Sequence, residues 1–166
     1  MKKITYILFL VAIVSSCKIH YGFKGVSIPP EAKTISVAFF QNNAAMASPV
    51  EAQKFTEKLR DMVSSQTNLA LTKQNGDLQF EGFIADYTIT PVAIQSTDQA
   101  ALNRLTISVN VKYSNKFDAT KNFEQSFSRF ADYPSNQTLS SIEAGLMEQI
   151  NRQLTEDVFN KAFNNW

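Results

Sequence analysis

The sequence contains a single cysteine, Cys17, and a single histidine, His20, among its 166 residues. One cysteine cannot form a disulfide within the chain, and it cannot supply the cysteine pairs on which many zinc sites depend. A Ser-His-Asp or Cys-His catalytic group would have to be built on His20, which lies three residues after Cys17 near the start of the chain. We therefore expect a protein that is not an enzyme and that uses no metal and no cofactor.

The sequence also lacks an excess of charge of either sign. Its 16 Lys and Arg residues nearly balance its 15 Asp and Glu residues, for a formal net charge of +1. Nucleic-acid binding generally requires a basic face, so nucleic acid is not an expected partner. Beyond the first residues no apolar run approaches the ~18 residues of a membrane-spanning helix.

The N-terminal residues do carry a strong signal. Lys2 and Lys3 precede an apolar run from Ile4 to Val14, and small residues then lead directly into Cys17. A positive start, an apolar stretch of about 11 residues and a small-residue site describe a secretory signal. The cysteine at its end is typical of bacterial lipoproteins, so residues 1–16 are predicted to be a signal peptide and Cys17 the lipid attachment site. A plain secretory signal with a cysteine at its boundary is the alternative.

The mature chain is predicted to hold a linker and one domain. Residues 17–30 contain Gly22, Gly25 and the pair Pro29-Pro30, which interrupt regular structure. Residues 31–166 are long enough for a single domain with its own core.

Within that domain, periodicity predicts strands and two helices. Strands are expected over residues 34–40, 78–94, 101–117 and 123–133, and residues 69–73 are expected to form a short strand or an extended link. The apolar face of the 78–94 segment changes along its length, which predicts a bulge near Gly82 or burial on both sides. Helices are predicted to begin at Ser48 and at Ser140-Ser141, with Glu51 and Glu143 completing capping boxes. We expect an α+β two-layer sandwich, with two amphipathic helices on one face of a four-stranded, mostly antiparallel sheet.

Several segments resemble a known family. After the Cys17 motif they are, in order, Lys33–Val37, Ser65–Leu69, Gly76–Gly82, Thr90–Gln95, Gln99–Thr106 and Phe123–Tyr133. Together they are similar to the LptE family of lipopolysaccharide-assembly lipoproteins, in its Bacteroidota branch. The resemblance covers nearly the whole mature chain, although none of the segments is a catalytic signature.

This resemblance implies a role and partners. Family members are outer-membrane lipoproteins that plug a large LptD-type β-barrel, help it assemble and assist delivery of lipopolysaccharide to the outer leaflet. The expected partners are that barrel, lipopolysaccharide, and the outer membrane through the lipid anchor. No Asp or Glu lies between Cys17 and Glu31, which favours the periplasm-facing leaflet. An accessory lipoprotein of another envelope machine, pilotin-like or a barrel-assembly subunit, is the alternative.

Candidate contact residues lie on the strand predicted over residues 101–117. Arg104, Lys112 and Lys116 occupy even positions, opposite an alternating apolar face, and Arg104 and Lys116 would lie roughly 40 Å apart. Such a stripe could meet lipopolysaccharide phosphates or acidic groups of a barrel lumen. An ordinary solvated strand face is the alternative. Glu81 and Asp86, five residues apart, are expected on opposite faces of their strand, which argues against a glycosidase-like carboxylate pair.

Overall fold

A computed structural model describes residues 27–92 and 101–164. Its strands are β1 (Thr34–Val37), β2 (Gln41–Asn42), β3 (Ala70–Thr72), β4 (Leu78–Val92), β5 (Leu102–Asn115) and β6 (Phe123–Pro134). Its helices are α1 (Pro49–Gln66) and α2 (Leu139–Phe163), and a 3-10 turn spans Ala119–Lys121. In the part of the chain described, no helix is long and apolar enough to cross a membrane.

The sheet has six strands and is mixed, so the expected number of four is wrong, and the expected antiparallel pairing holds for β4, β5 and β6 only. The order is β3-β1-β4-β5-β6, and β2 continues alongside β4 beyond β1. β1 runs parallel to both β3 and β4, while β4, β5 and β6 form an antiparallel meander. α1 carries the chain across from β1 to β3, and such a crossover is what a parallel pair requires.

The alternating face predicted for the strand over residues 101–117 is confirmed, and both helices are amphipathic as expected. On β5 every odd residue from Leu105 to Tyr113 is buried, and the even residues between them are more exposed. α1 buries Phe55, Leu59 and Val63, and α2 contributes a longer apolar stripe. The α2 stripe consists of Met147, Ile150, Leu154, Val158, Phe159 and Phe163. The two helices and the strands share one hydrophobic core, as expected for an α+β sandwich.

β4 contains the predicted bulge, but it lies three residues beyond Gly82. The pairing with β5 shifts between Ile84 and Asp86, leaving Ala85 as the extra residue. The shift moves Tyr87 onto the core side of the sheet, where it is 2% exposed. It also places Glu81 and Asp86 on the same face, opposite Lys112 and Ser108, and so corrects their expected opposite orientation. Four residues of β5 separate those positions by ~13 Å, still too far for a glycosidase pair.

Both helices begin without the predicted capping boxes. Ser48 caps α1, accepting a hydrogen bond from the Val50 amide at 3.4 Å, but the Glu51 carboxylate makes no reciprocal bond and is buried. α2 begins at Leu139, after Thr138, so Glu143 does not occupy the expected capping position. Its carboxylate instead accepts a hydrogen bond from the Tyr87 hydroxyl at 2.7 Å. In both helices the glutamate predicted to cap the helix is placed by the tertiary structure instead: Glu51 is buried and Glu143 bonds to Tyr87.

The described chain starts beside its C-terminal helix. The Ser27 amide donates a hydrogen bond to the Phe163 carbonyl at 2.6 Å. Phe163 packs against Phe80 and Tyr113, with ring centroids 6.1 and 6.0 Å away. The chain therefore enters the domain at the end of the sheet where β5 turns into β6.

Candidate functional site

The candidate site is the face of β4, β5 and β6 that points away from the helices, here called the outer face. Its register follows from the buried side chains of β5, because alternate residues of a strand point to opposite sides. Most of its side chains are hydroxyls, amides or charged groups. They are Gln79, Glu81, Asp86, Thr88, Thr90, Arg104, Thr106, Ser108, Asn110, Lys112, Ser114, Glu124, Ser126, Ser128 and Asp132. The same register places the apolar residues Phe83, Val92, Leu102, Phe130 and Pro134 on this face.

Arg104 is held by two residues of β6. Its guanidinium makes two parallel bonds to Asp132, Nε to Oδ1 at 2.7 Å and an amino nitrogen to Oδ2 at 2.9 Å. Its carbon Cζ also lies 3.6 Å from the centroid of the Phe130 ring. The Arg104 bond lowers the pKa of the Asp132 carboxyl, so the pair is ionised at neutral pH. An incoming phosphate would have to displace this carboxylate.

Lys112 is placed between two acids. Its Nζ lies 3.6 Å from Glu81 Oε2 on β4, and both side chains are 54% exposed. On its other side, Glu124 of β6 is directly opposite in register. Pairs this exposed are weak and solvent-screened, so Lys112 remains able to exchange partners.

Lys116 does not join the other two cations. β5 ends at Asn115, and Lys116 starts the loop that follows. Its Nζ lies 3.9 Å from Asp77 Oδ1, at the end of the molecule where the chain enters. The predicted stripe therefore divides into Arg104 and Lys112 on the outer face and Lys116 beyond it.

These contacts give the outer face its chemistry. Arg104 and Lys112 each face a carboxylate across the strands, and Asp86 adds a further acid. Between the charges, Ser108 and Ser128 join their hydroxyls at 3.0 Å. The face is better suited to exchanging hydrogen bonds with a polar surface than to capturing a free anion.

Asp77 organises the start of the sheet, a role that sequence reasoning missed. Its Oδ2 accepts bonds from the Lys33 amide at 3.0 Å and from the Thr34 amide and hydroxyl at 3.1 and 2.9 Å. The Lys33 amide, followed by the Thr34 hydroxyl, lowers the pKa of Asp77. The preceding Gly76 packs so closely that a Cβ there would lie 2.4 Å from the Ser36 amide nitrogen. The turn sequence Asn75-Gly76-Asp77 is the feature of the sequence that could have indicated this role.

A second missed feature is a buried polar pair between the helices. Glu51 of α1 is 0% exposed and Asn151 of α2 is 1% exposed. No side-chain oxygen or nitrogen of either residue makes a hydrogen bond. Burial raises the pKa of Glu51 to about 7, against the opposing effects of the facing Asn151 amide and of Lys54. In the sequence, Glu51 fits a capping box, so its burial was not predicted.

The remaining site predictions concern the lipid attachment site and metal binding. Cys17 and the predicted signal peptide lie outside the described residues. Across residues 27–92 and 101–164, no group of three or more His, Cys, Asp or Glu residues is arranged to hold a metal.

Comparison with known proteins supplies a family and a fold. The family model described as "LptE: Lipopolysaccharide-assembly" matches residues 32–162. A minor lipoprotein from Acinetobacter baumannii aligns with a TM-score of 0.51 and 12% identity, covering 78% of this chain and 91% of that one. A hypothetical protein from Chlamydia trachomatis aligns with a TM-score of 0.52 and 14% identity, covering 79% and 98%. No curated protein sequence matches significantly. At such identities the solved structures show a shared fold alone.

Proposed function

Because the chain belongs to the LptE family of lipopolysaccharide-assembly proteins, we propose that it plugs an LptD-type outer-membrane β-barrel and helps that barrel assemble. In this role it assists the transport of lipopolysaccharide and its insertion into the outer leaflet. The protein is held to the periplasm-facing leaflet through acyl chains on Cys17, since two or more chains make stable anchoring. It carries out no reaction of its own.

The outer face of the sheet is the observation that favours a plug. Lumens of large barrels are polar, and a plug needs side chains that exchange hydrogen bonds with such walls. The outer face presents hydroxyls, amides and two ion pairs along strands of 15, 14 and 12 residues. Because Arg104 and Lys112 already have carboxylate partners on this face, neither cation has to be buried unpaired against a polar wall.

Co-purification tests the proposal directly. Tagged protein isolated from detergent-solubilised outer membranes is expected to bring a large β-barrel of the lipopolysaccharide translocon in near-stoichiometric amount, identified by mass spectrometry. Photo-crosslinking from Ser108 or Ser126 should then reach the barrel. Recovery alone, or with a different envelope machine, would contradict the plug assignment and support the accessory-lipoprotein alternative.

Charge reversal on the outer face separates contact with the barrel from contact with lipopolysaccharide. In the Arg104→Glu, Lys112→Glu double variant, each new glutamate faces a carboxylate, Asp132 or Glu81. The outer face then carries acids that have no cation partner. We expect recovery of the barrel to fall about tenfold, because unmatched charge at an interface is costly. Lipopolysaccharide affinity should change little, since Arg104 is held by two bonds to Asp132 and Lys112 lies between Glu81 and Glu124.

A charge-preserving variant controls for loss of the fold. Exchanging the pair, as Arg104→Asp with Asp132→Arg, keeps the salt bridge and should give higher barrel recovery than the Arg104→Glu, Lys112→Glu double variant. A tenfold loss of lipopolysaccharide affinity with unchanged barrel recovery would instead assign the face to the lipid.

A further inference from the structure

The end of the molecule where the chain enters has its own surface chemistry. Residues 27–31 border a groove whose other wall includes Asn115 at the end of β5, and Phe117 and Lys121 of the loop between β5 and β6. Ser27 is fixed there by its bond to Phe163. Any segment that precedes residue 27 therefore leaves the domain beside this loop.

Four lysines and one phenylalanine form what is here called the entry surface: Lys33, Lys116, Phe117, Lys121 and Lys161. All five are exposed. Lys121 and Lys161 border a common groove, which joins the end of α2 to the loop. The Lys116 side chain is 70% exposed, and its Nζ lies 6.0 Å from the centroid of the Phe117 ring.

Two acids at this end are turned towards the backbone. Asp77 accepts the Lys33 and Thr34 amides, and Asp118 Oδ1 accepts the Thr120 amide at 3.0 Å. Both carboxylates accept backbone amides, and Asp77 Oδ1 also lies 3.9 Å from Lys116 Nζ. The Lys33 ammonium donates a hydrogen bond to the Pro30 carbonyl at 3.2 Å, and all four lysines are exposed. Glu31 is also exposed there, in the groove that Lys121 borders, so four lysines stand against three acids at this end of the described domain. The sequence between Cys17 and Ser27 contains Lys18 and Lys24 and no acid. The balance of charge at this end is therefore positive.

Phe117 gives this surface an apolar component. Its side chain is 44% exposed at the start of the loop after β5. An aromatic ring flanked by lysines suits the boundary between headgroups and acyl chains, where the ring is buried and the ammonium groups reach lipid phosphates.

We propose that the entry surface docks on the anionic phospholipid headgroups of the bilayer that holds the lipid anchor. The inference rests on the lipid attachment proposed for Cys17. Residues 17–26 can span at most about 36 Å when fully extended, and about 18 Å as a flexible coil. The entry surface is thus the part of the described domain nearest the bilayer, and β5 directs the opposite end of the sheet ~45 Å away.

Vesicle binding tests this without the barrel and without the acyl chains. The full mature chain, residues 17–166 with Cys17→Ser, is mixed with vesicles of phosphatidylethanolamine and phosphatidylglycerol, or of phosphatidylcholine alone. We expect binding to the anionic vesicles that weakens with salt, and little binding to the neutral ones. Equal binding to both, or binding to neither, would overturn the proposal.

Two matched variants locate the contact. Lys116→Gln, Lys121→Gln and Lys161→Gln together should weaken binding to the anionic vesicles at least about tenfold. Lys54→Gln, Lys73→Gln and Arg152→Gln remove the same charge elsewhere and should leave more of the binding intact. Equal losses in the two variants would show that net charge alone is responsible and would overturn the proposal. Circular dichroism and thermal melting establish that both variants are folded.

Insertion of Phe117 is measured by fluorescence. With Trp166→Phe as background, Phe117→Trp should shift to shorter wavelength and be quenched by brominated lipid, whereas Leu71→Trp, at another exposed apolar position, should not. Quenching of Leu71→Trp alone would overturn the proposal. Co-purification of the barrel with the triple lysine variant is measured as a separate experiment. A failure of docking and a failure of the plug function are therefore distinguishable.

Discussion

Gly82→Ala is expected to lower the free energy of unfolding by about 3 kcal/mol, at the upper end of what overpacking usually costs. Gly82 lies on the core side of β4, paired with Val111 of β5. A Cβ built at this position would lie 2.0 Å from the Asn110 carbonyl oxygen and 2.6 Å from Cε1 of Phe40. The first of these atoms belongs to the backbone of the neighbouring strand, so relief requires the strands to separate.

Phe40 cannot easily give way to the added methyl group. Its ring is 0% exposed and meets the Phe55 ring of α1 edge-on, with centroids 4.9 Å apart. Its amide donates a hydrogen bond to the Thr56 hydroxyl at 3.0 Å. The strain from Gly82→Ala would therefore spread to α1 as well as to β5.

Gly145→Ala provides the matched control for the Gly82 measurement. Gly145 lies in α2, where a Cβ would have no heavy-atom neighbour within 4 Å. There the substitution should raise stability by about 1 kcal/mol, because alanine favours a helix over glycine. Denaturant unfolding of both variants checks the pair, and equal effects of the two substitutions would refute the close-packing explanation.

Glu51→Gln is expected to raise the free energy of unfolding by about 3 kcal/mol at pH 8 and to change it little at pH 4. The unfolded carboxyl ionises near 4.5, whereas burial raises the pKa of native Glu51 to about 7. A difference of that size corresponds to about 3 kcal/mol of destabilisation when the native carboxylate is ionised. An amide has no such cost, and it can hydrogen-bond to Asn151.

The direction of the pH dependence follows from proton binding. Below pH 4.5 both states hold the proton, and the ionisation of Glu51 does not affect folding. Between about pH 4.5 and 7 the native state retains a proton that the unfolded state has lost, so this contribution makes stability fall as pH rises. Above pH 7 the full penalty is present. Protonated Glu51 can also donate to Asn151 Oδ1, whereas the carboxylate can only accept.

The pH experiment is best read as a difference between proteins. Carboxyls with a lowered pKa, such as Asp132 and Glu148, destabilise the native state when they are protonated at acidic pH. Subtracting the Glu51→Gln curve from that of the natural sequence isolates Glu51. Glu57→Gln makes the same chemical change at an exposed position of α1 and should leave the slope between pH 4.5 and 7 unchanged. A slope that persists in Glu51→Gln would assign the effect to another group.

The sequence was a sound guide to which side chains lie inside. The alternation from Leu105 to Tyr113 and the helical spacing of Phe55, Leu59 and Val63 place the same residues in the core that the structure buries. Periodicity of this kind is a local property, because it follows from the strand and helix repeats themselves. The resemblance to LptE proteins likewise depended on short segments, and the family match agrees with it.

The sequence was a poorer guide to which strands are neighbours and which charged residues are partners. The parallel pairing of β1 with β3 depends on where α1 returns the chain, and periodicity reports faces without reporting neighbours. The same limit applied to the candidate site. The sequence predicted Arg104 to be an available cation. Its carboxylate partner on β6 lies 28 residues further along the chain, so no local pattern indicated the pairing.

The features that follow from the sequence alone are therefore local: the faces of the strands and helices, and the short segments that mark the family. The mixed sheet, the position of the bulge at Ala85 and the burial of Glu51 emerge only in the tertiary structure. It also divided the three predicted cations between the outer face and the entry surface. The physical reason is that each of these features depends on residues distant in sequence, such as Asp77 and Thr34, which are 43 positions apart. Folding brings such residues into contact, and no local repeat encodes which ones will meet.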